Sequence, residues 1–456
     1  MTIHGVRATF PIWLLCAGLG DSAHGAAPPS CPAPQPQSNM VTTLDSEFAK
    51  TGTLDRSHWR PFVGLHGGVK QELQAYVERE VTVSSSDGLV LQTDKGEFLD
   101  HPFISGEVTT EGLFSQTYGH FEMVAKVPQA NGLWPAFWLL PADHAWPPEI
   151  DILEYIYAPF GKLPDESRHQ ASNPESTLHW TDSTGHHMQM GQGNQSDTQL
   201  YQTYEDWGST PPPPGLGPHY AGYHKYAVDW RPGSLVWFID GSAVFCIIDD
   251  ATSGRRVPDV PMFVILNDAV SPGDAQHPGW SGYVANNQKF PVSMEIASVK
   301  VASFKDIPKP TPMPLEIGNL IVSDPHPKPG QRVELSAELR VGNSDLGIAE
   351  NSIFTIRKFD ASHFDGVGST VDTAPFTVPE LQAGRTYHVS TSYLVSNILA
   401  PASYSVGVSV AYTDGPAIEQ HAGRRAYLRQ GGLLTVGGAG DRQQGPDSIT
   451  SSRRRW

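Results

Sequence analysis

Short runs of alternating apolar and polar residues dominate the chain between about Val41 and Phe304. GLVLQT (Gly88–Thr93), HFEMVAKV (His120–Val127) and KYAVDW (Lys225–Trp230) each carry the period of two that a strand shows when one face is buried and the other is wet. KYAVDW and the following LVWFIDG are joined by RPGS; a Pro-Gly pair suits the centre of a type II turn, so these runs predict a hairpin. Helical spacing is scarce. On pattern alone, residues 41–305 form one large β-sandwich. The prolines of DIPKPTPMP cannot sustain a central strand, which makes 306–314 a stiff spacer. Beyond it, RVELSAELRV, SIFTIRKF, TYHVSTSYLV and ASYSVGVSVAY resume the alternation and predict a second, smaller immunoglobulin-like β-sandwich over 315–428. The fold class is therefore all-β. The last segment, 429–456, reads as a disordered tail.

Composition narrows the function more than the fold. The chain has 456 residues, a net charge of −17 and only 17% charged residues, so no basic face is available to neutralise phosphates and nucleic acid is not an expected partner. Residues 1–26 read as a signal peptide: Arg7 precedes the apolar run Ala8–Gly20, which is short for a membrane span, and small residues follow in SAHGA. A Pro-rich leader occupies 27–40. No later apolar run approaches spanning length, so a secreted protein, extracellular or periplasmic, is expected, and as a monomer. Without the signal, Cys31 and Cys246 remain. Two cysteines make neither a disulfide scaffold nor a four-ligand zinc site, and Cys246, within the apolar VFCII, is expected to be an inert buried thiol. Apart from Trp13 and Trp456, every Trp lies between Trp59 and Trp280, which puts any ring-stacking surface in the first domain.

WPPEIDILEY (Trp146–Tyr155) carries the candidate chemistry. Glu149 and Asp151 share a strand face, whereas the next residue of that face is Leu153 and the third acid is Glu154. One extra residue in a β-bulge between Asp151 and Glu154 would turn all three acids to one side and leave Ile150 and Ile152 for the core. Two carboxyls flanking a third suit glycoside hydrolysis, in which one attacks the anomeric carbon and the other handles the proton. The same spacing also fits a Ca²⁺ cluster or a solvated acidic face, and by itself does not separate the three.

The run YGHFEMVAKVPQANGLWPAFWLLPADHAWPPEIDILEY (Tyr118–Tyr155) resembles the signature region of glycoside hydrolase family 16, in its bulged, laminarinase-like branch. QELQAY, SGEVTT, TLHW, YHKYAVDWRPGSLVWFIDG, PMFVILNDAV and MEIASVKV follow the family's order over about residues 41–304. The resemblance implies a β-jelly-roll with a substrate cleft and a retaining endo-β-glucanase acting on a polysaccharide with β-1,3 or mixed β-1,3/1,4 bonds. Adjacent expectations are a depolymerase or transglycosylase acting on a bacterial exopolysaccharide, and, from another class, a non-catalytic glucan-binding protein. It places the nucleophile at Glu149, the assisting acid at Asp151 and the general acid/base at Glu154. Substrate contacts are implied at Trp134, Trp146, Glu107, His179 and Asn267, while Trp138 suits cleft or core equally. Thr109 stands where relatives often carry Arg. No cofactor is required; a structural Ca²⁺ is possible in such folds. The polar insertion over 181–222 could overhang the cleft through Tyr204 or Trp207, and His186 and His187 within it point oppositely on a strand, which argues against a metal pair. The second sandwich lacks Trp, so a spacer or stabilising role is expected over carbohydrate binding, with Tyr387, Tyr393 and Tyr404 packing between strands.

Overall fold

The hairpin at RPGS forms as its sequence predicts. His224–Arg231 pairs antiparallel with Ser234–Ile239, Arg231 faces Ser234 across the turn, and Gly233 takes the positive φ of 75° that the turn needs at its third position. The computed structural model describes residues 32, 35–66, 72–156, 173–191, 222–277, 281–308, 313–348, 352–359, 367–378, 380–397, 399–400, 402–414 and 424–436. The expected signal peptide, half of the leader, residues 309–312 of the spacer, Tyr204 and Trp207 lie outside these residues.

Two sheets make the first sandwich. One has seven strands, ordered from edge to edge His187–Gly191, Asn173–Thr181, Glu149–Ile156, Leu133–Pro141, Met262–Val270, Glu107–Thr109 and Arg60–Pro61. The other has ten and is built around Gly119–Lys126 and Val292–Phe304. Their facing sides close on one core. Phe121 and Met123 from the ten-stranded sheet meet Phe137, Leu139, Ile150, Leu178 and Val264 from the seven-stranded one. These residues sit two apart along their strands, so the apolar half of each alternating run is the half that leaves water. Met262–Val270 is buried at every position, as a central strand covered on both faces should be.

The second sandwich pairs a three-stranded sheet (Leu315–Val322, Arg332–Val341, Thr386–Leu394) with a five-stranded one that includes Ile353–Phe359 and Ala402–Asp414. Leu335, Leu339, Phe354, Val406 and Val410 share its core, as do Tyr393 and Tyr404, with Tyr387 packed against it; the three tyrosines are packing residues as expected. The sandwich does not end at residue 428. Arg424–Val436 pairs with Ala402–Asp414, from Tyr412 opposite Arg424 to Ala402 opposite Val436, and buries Leu434 and Val436. The glycines of QGGLL disguise this strand as tail: Gly432 lies opposite Val406, next to a register shift, where an interrupted strand tolerates glycine.

Backbone meets backbone between the sandwiches. A Cβ added at Gly318 would lie 1.9 Å from the carbonyl oxygen of Gly112, so only glycine fits there. Arg340 Nη1 donates to the same oxygen at 2.8 Å, and Ser115 donates to Glu316 at 3.2 Å. Cys246 corrects an expectation: it is disulfide-bonded rather than an inert thiol, its partner lying outside the described residues. Burial in a strand does not hide a sulfur that sits near the sheet's outer side, where Cys246 packs with Val236 and Phe238. Among the described residues no helix is long and apolar enough to cross a membrane.

Candidate active site

The carboxylate strand bulges where the spacing of its acids requires. Against Leu133–Pro141, Asp151 pairs with Trp138 and Glu154 with Ala136, so three steps on one strand match two on its neighbour. The shift appears again on the other side, where Asp151 faces Thr177 and Glu154 faces Glu175. The extra residue turns Glu149, Asp151 and Glu154 to the same side, and Ile150, Ile152 and Leu153 are buried in the core. From the opposite sheet, Trp237 Nε1 donates to the carbonyl of Asp151 at 2.9 Å, which satisfies a buried acceptor at the start of the bulge.

The two glutamates meet different surroundings. Burial raises Glu149 and the charge of Asp151 adds to it; the nearby His179 and the Trp146 N–H, which donates to Glu149 Oε2 at 2.8 Å, oppose the rise. Burial also raises Glu154, well above the ordinary range, reinforced by Asp151, Glu175 and Glu149 and relieved only by the Thr177 hydroxyl at 3.3 Å. Of the two, Glu149 is the better supported as a carboxylate and Glu154 the better held as an acid. His179 lies with Nε2 3.2 Å from Asp151 and 3.8 Å from Glu149. Burial would lower its pKa, but the hydrogen bond to Asp151 and the two acids' charges carry it up to about 9. Glu149, Asp151 and His179 bring three donor atoms within 4.8 Å of one another. A proton on His179 competes with a cation for the same lone pair, so an ion at this trio would have to displace it.

Further along the same face, Trp134 and Trp138 are half-buried on the neighbouring strand, with Trp138 directly opposite Asp151. Trp146, 37% exposed, stands at the rim. The structure thus gathers Trp134, Trp146 and His179 around the acids. Glu107 and Asn267 lie on this face too, but below its surface: they are 1% and 5% exposed. Both oxygens of Glu107 sit 2.8 Å from His66 Nε2. Asn267 accepts from Trp138 Nε1 and donates to the Tyr76 hydroxyl, each at 2.8 Å. These two therefore hold His66 and Trp138 in place, and those rings present the surface. Thr109 is buried and bonded to Val264, with Arg60 facing it from the edge strand and paired to Glu111. Trp138 is a cleft-face residue, which its spacing of four from Trp134 allowed. His66, Tyr76 and Glu175 were missed. Glu175 had a signal, since it alternates with Thr177 and His179, whereas His66 reaches the face from a loop that no periodicity marks.

A family model described as "Glycosyl hydrolases family 16" matches residues 70–209 and 216–284, the stretch that holds all three acids. This part of the chain is similar to glycosyl hydrolases family 16. Among curated relatives, the endo-1,3-1,4-beta-glycanases ExsH and EglC of Rhizobium meliloti (strain 1021) are 32% and 29% identical, each over 51% of this chain and 45% of their own length. The chain thus spans under half of those two proteins. The beta-glucanase of Rhodothermus marinus is 28% identical over 63% of this chain and 90% of its own. The catalytic domain of an endo-1,3-beta-glucanase (laminarinase) from Thermotoga petrophila RKU-1 aligns at 26% identity and a TM-score of 0.44, over 59% of this chain and 99% of that one. Glu149, Asp151 and Glu154 are the candidate catalytic acids of this family 16-like domain.

Proposed function

We propose that the protein is an exported endo-β-glucanase that hydrolyses internal β-1,3 or mixed β-1,3/1,4 bonds with retention of configuration. One observation carries the reading: a single bulged strand turns two glutamates to one face and gives them unequal protection against ionisation. In the first step a Glu149 carboxylate oxygen attacks the anomeric carbon while Glu154 delivers its proton to the departing glycosidic oxygen. In the second, Glu154 takes a proton from water, the water oxygen attacks the same carbon, and Glu149 leaves as carboxylate. Asp151, 3.2 Å from His179, raises the proton affinity of Glu154 and keeps the sites from ionising together. Nothing in these steps calls for a metal or cofactor. Export is supported by the N-terminal pattern and by the disulfide at Cys246, which needs an oxidising compartment to persist.

The same two steps also allow an alternative, depolymerisation of a bacterial exopolysaccharide. Release of reducing ends from laminarin, lichenan and charged exopolysaccharides separates the two, and NMR of the first-formed anomer reads retention. Glu149→Gln is expected to retain polysaccharide binding and lose turnover at least about a thousandfold, in the range that loss of a nucleophile brings. Wild-type activity in that variant, or binding without cleavage across the whole panel, refutes the proposal, the latter in favour of a glucan-binding protein.

A further inference from the structure

We infer that His187 is a positioning residue of the candidate active site, holding two of the side chains that touch the Glu149 carboxyl group. The inference rests on the catalytic reading above. His187 opens the strand His187–Gly191 and faces Thr181 on the neighbouring strand. Its Nε2 lies 2.9 Å from Nδ1 of His179, with the two rings within 9° of parallel. The Trp146 ring lies 4.6 Å from the His187 ring, centroid to centroid, and 6.3 Å from the His179 ring. Trp146 in turn donates to Glu149, and His179 bridges toward Asp151 and Glu149. His187 is thus a common support for two of the contacts to the nucleophile.

The hydrogen-bond arithmetic assigns its protonation. His179 has the Asp151 carboxylate 3.2 Å from Nε2, an ion-pair contact, and His187 2.9 Å from Nδ1, so a cationic ring suits both neighbours. His187 accepts only if it is neutral with its proton on Nδ1. Burial and the charge of His179 lower its pKa, in keeping with that state. The charged or titratable groups facing this pair are Asp151 and Glu149; the adjacent His186 is held apart in the turn by the Thr184 hydroxyl. Protonating His187 turns its acceptor into a donor and sets two cations side by side, which weakens the support as pH falls through the lower part of the imidazole range.

The experiment compares the full-length protein with His187→Phe and His187→Gln. Phe keeps a ring against Trp146 and removes the acceptor, whereas the Gln amide oxygen can accept the His179 proton. Expected in His187→Phe are a kcat lower by about tenfold, a KM within about twofold, and a His179 pKa, followed by NMR, lower by about one unit. His187→Gln should restore about half or more of both losses. A wild-type kcat with an unmoved His179 titration in His187→Phe overturns the inference. So does equal impairment of both variants with a matching fall in Tm, which marks a merely structural residue. Should the wild type cleave no glucan, the catalytic reading fails separately, and an unmoved His179 titration still tells against His187 as its support.

Discussion

Glu149 and Glu154 have the same side chain, and what separates them is the donors within reach. His179 is the largest single support available to Glu149 as a carboxylate, so removing its charge must raise the Glu149 pKa further. His179→Asn is therefore expected to move the acid limb of the kcat/KM profile to higher pH, by about one unit, and to lower kcat at pH 6 more than at pH 8. An unmoved limb would detach His179 from the nucleophile. Glu154→Gln is expected to lose about a hundredfold or more, least on substrates whose leaving group needs no proton. At this scale the acids were legible in sequence because six consecutive residues of one strand carry them all. His179 was legible through its neighbour strand. His66 was not, since its pairing with Glu107 joins positions 41 apart through a loop, and nothing local announces such a contact.

Among elements, the bulge depends on the opposite sheet. Trp237→Phe keeps the buried ring but leaves the Asp151 carbonyl without its donor, a cost of about 1–3 kcal/mol. Its Tm should fall by several degrees, and its kcat with it, because the same carbonyl marks the start of the bulge. Retained Tm and kcat would show that the bulge stands without this bond. The outer face of the ten-stranded sheet carries a pH-dependent link, in which His120 Nδ1 meets Asp229 at 2.7 Å across paired strands. Burial opposes the charge of His120, but hydrogen bonds to Asp229 and Glu122 raise its pKa to about 9. A raised histidine stabilises fully below its unfolded pKa of about 6.5 and ceases to do so as pH climbs through 9. The Tm deficit of His120→Gln should accordingly be largest at pH 6 and close by pH 10; a constant deficit would assign the loss to packing. Strands of this kind were readable from alternation alone. The strand Arg424–Val436 was not, because two glycines inside it carry the composition of a loop, and only its partner Ala402–Asp414 shows that they belong to a sheet.

For the whole molecule, the division into two sandwiches could be read from the prolines between them, but their contact could not, since glycines at 112 and 318 look like turn residues until they are seen back to back. Gly318→Ala places a methyl against the Gly112 carbonyl and removes no side chain. It is expected to lower Tm while leaving KM for soluble glucan unchanged, and an unaltered Tm would show that the two backbones part at little cost. Where two peptide planes rest on each other with no side chain between them, a swinging arm has no room to pivot. An accessory module mounted in that way is expected to act as masonry behind a wall, felt in how long the fold lasts rather than in how far it reaches.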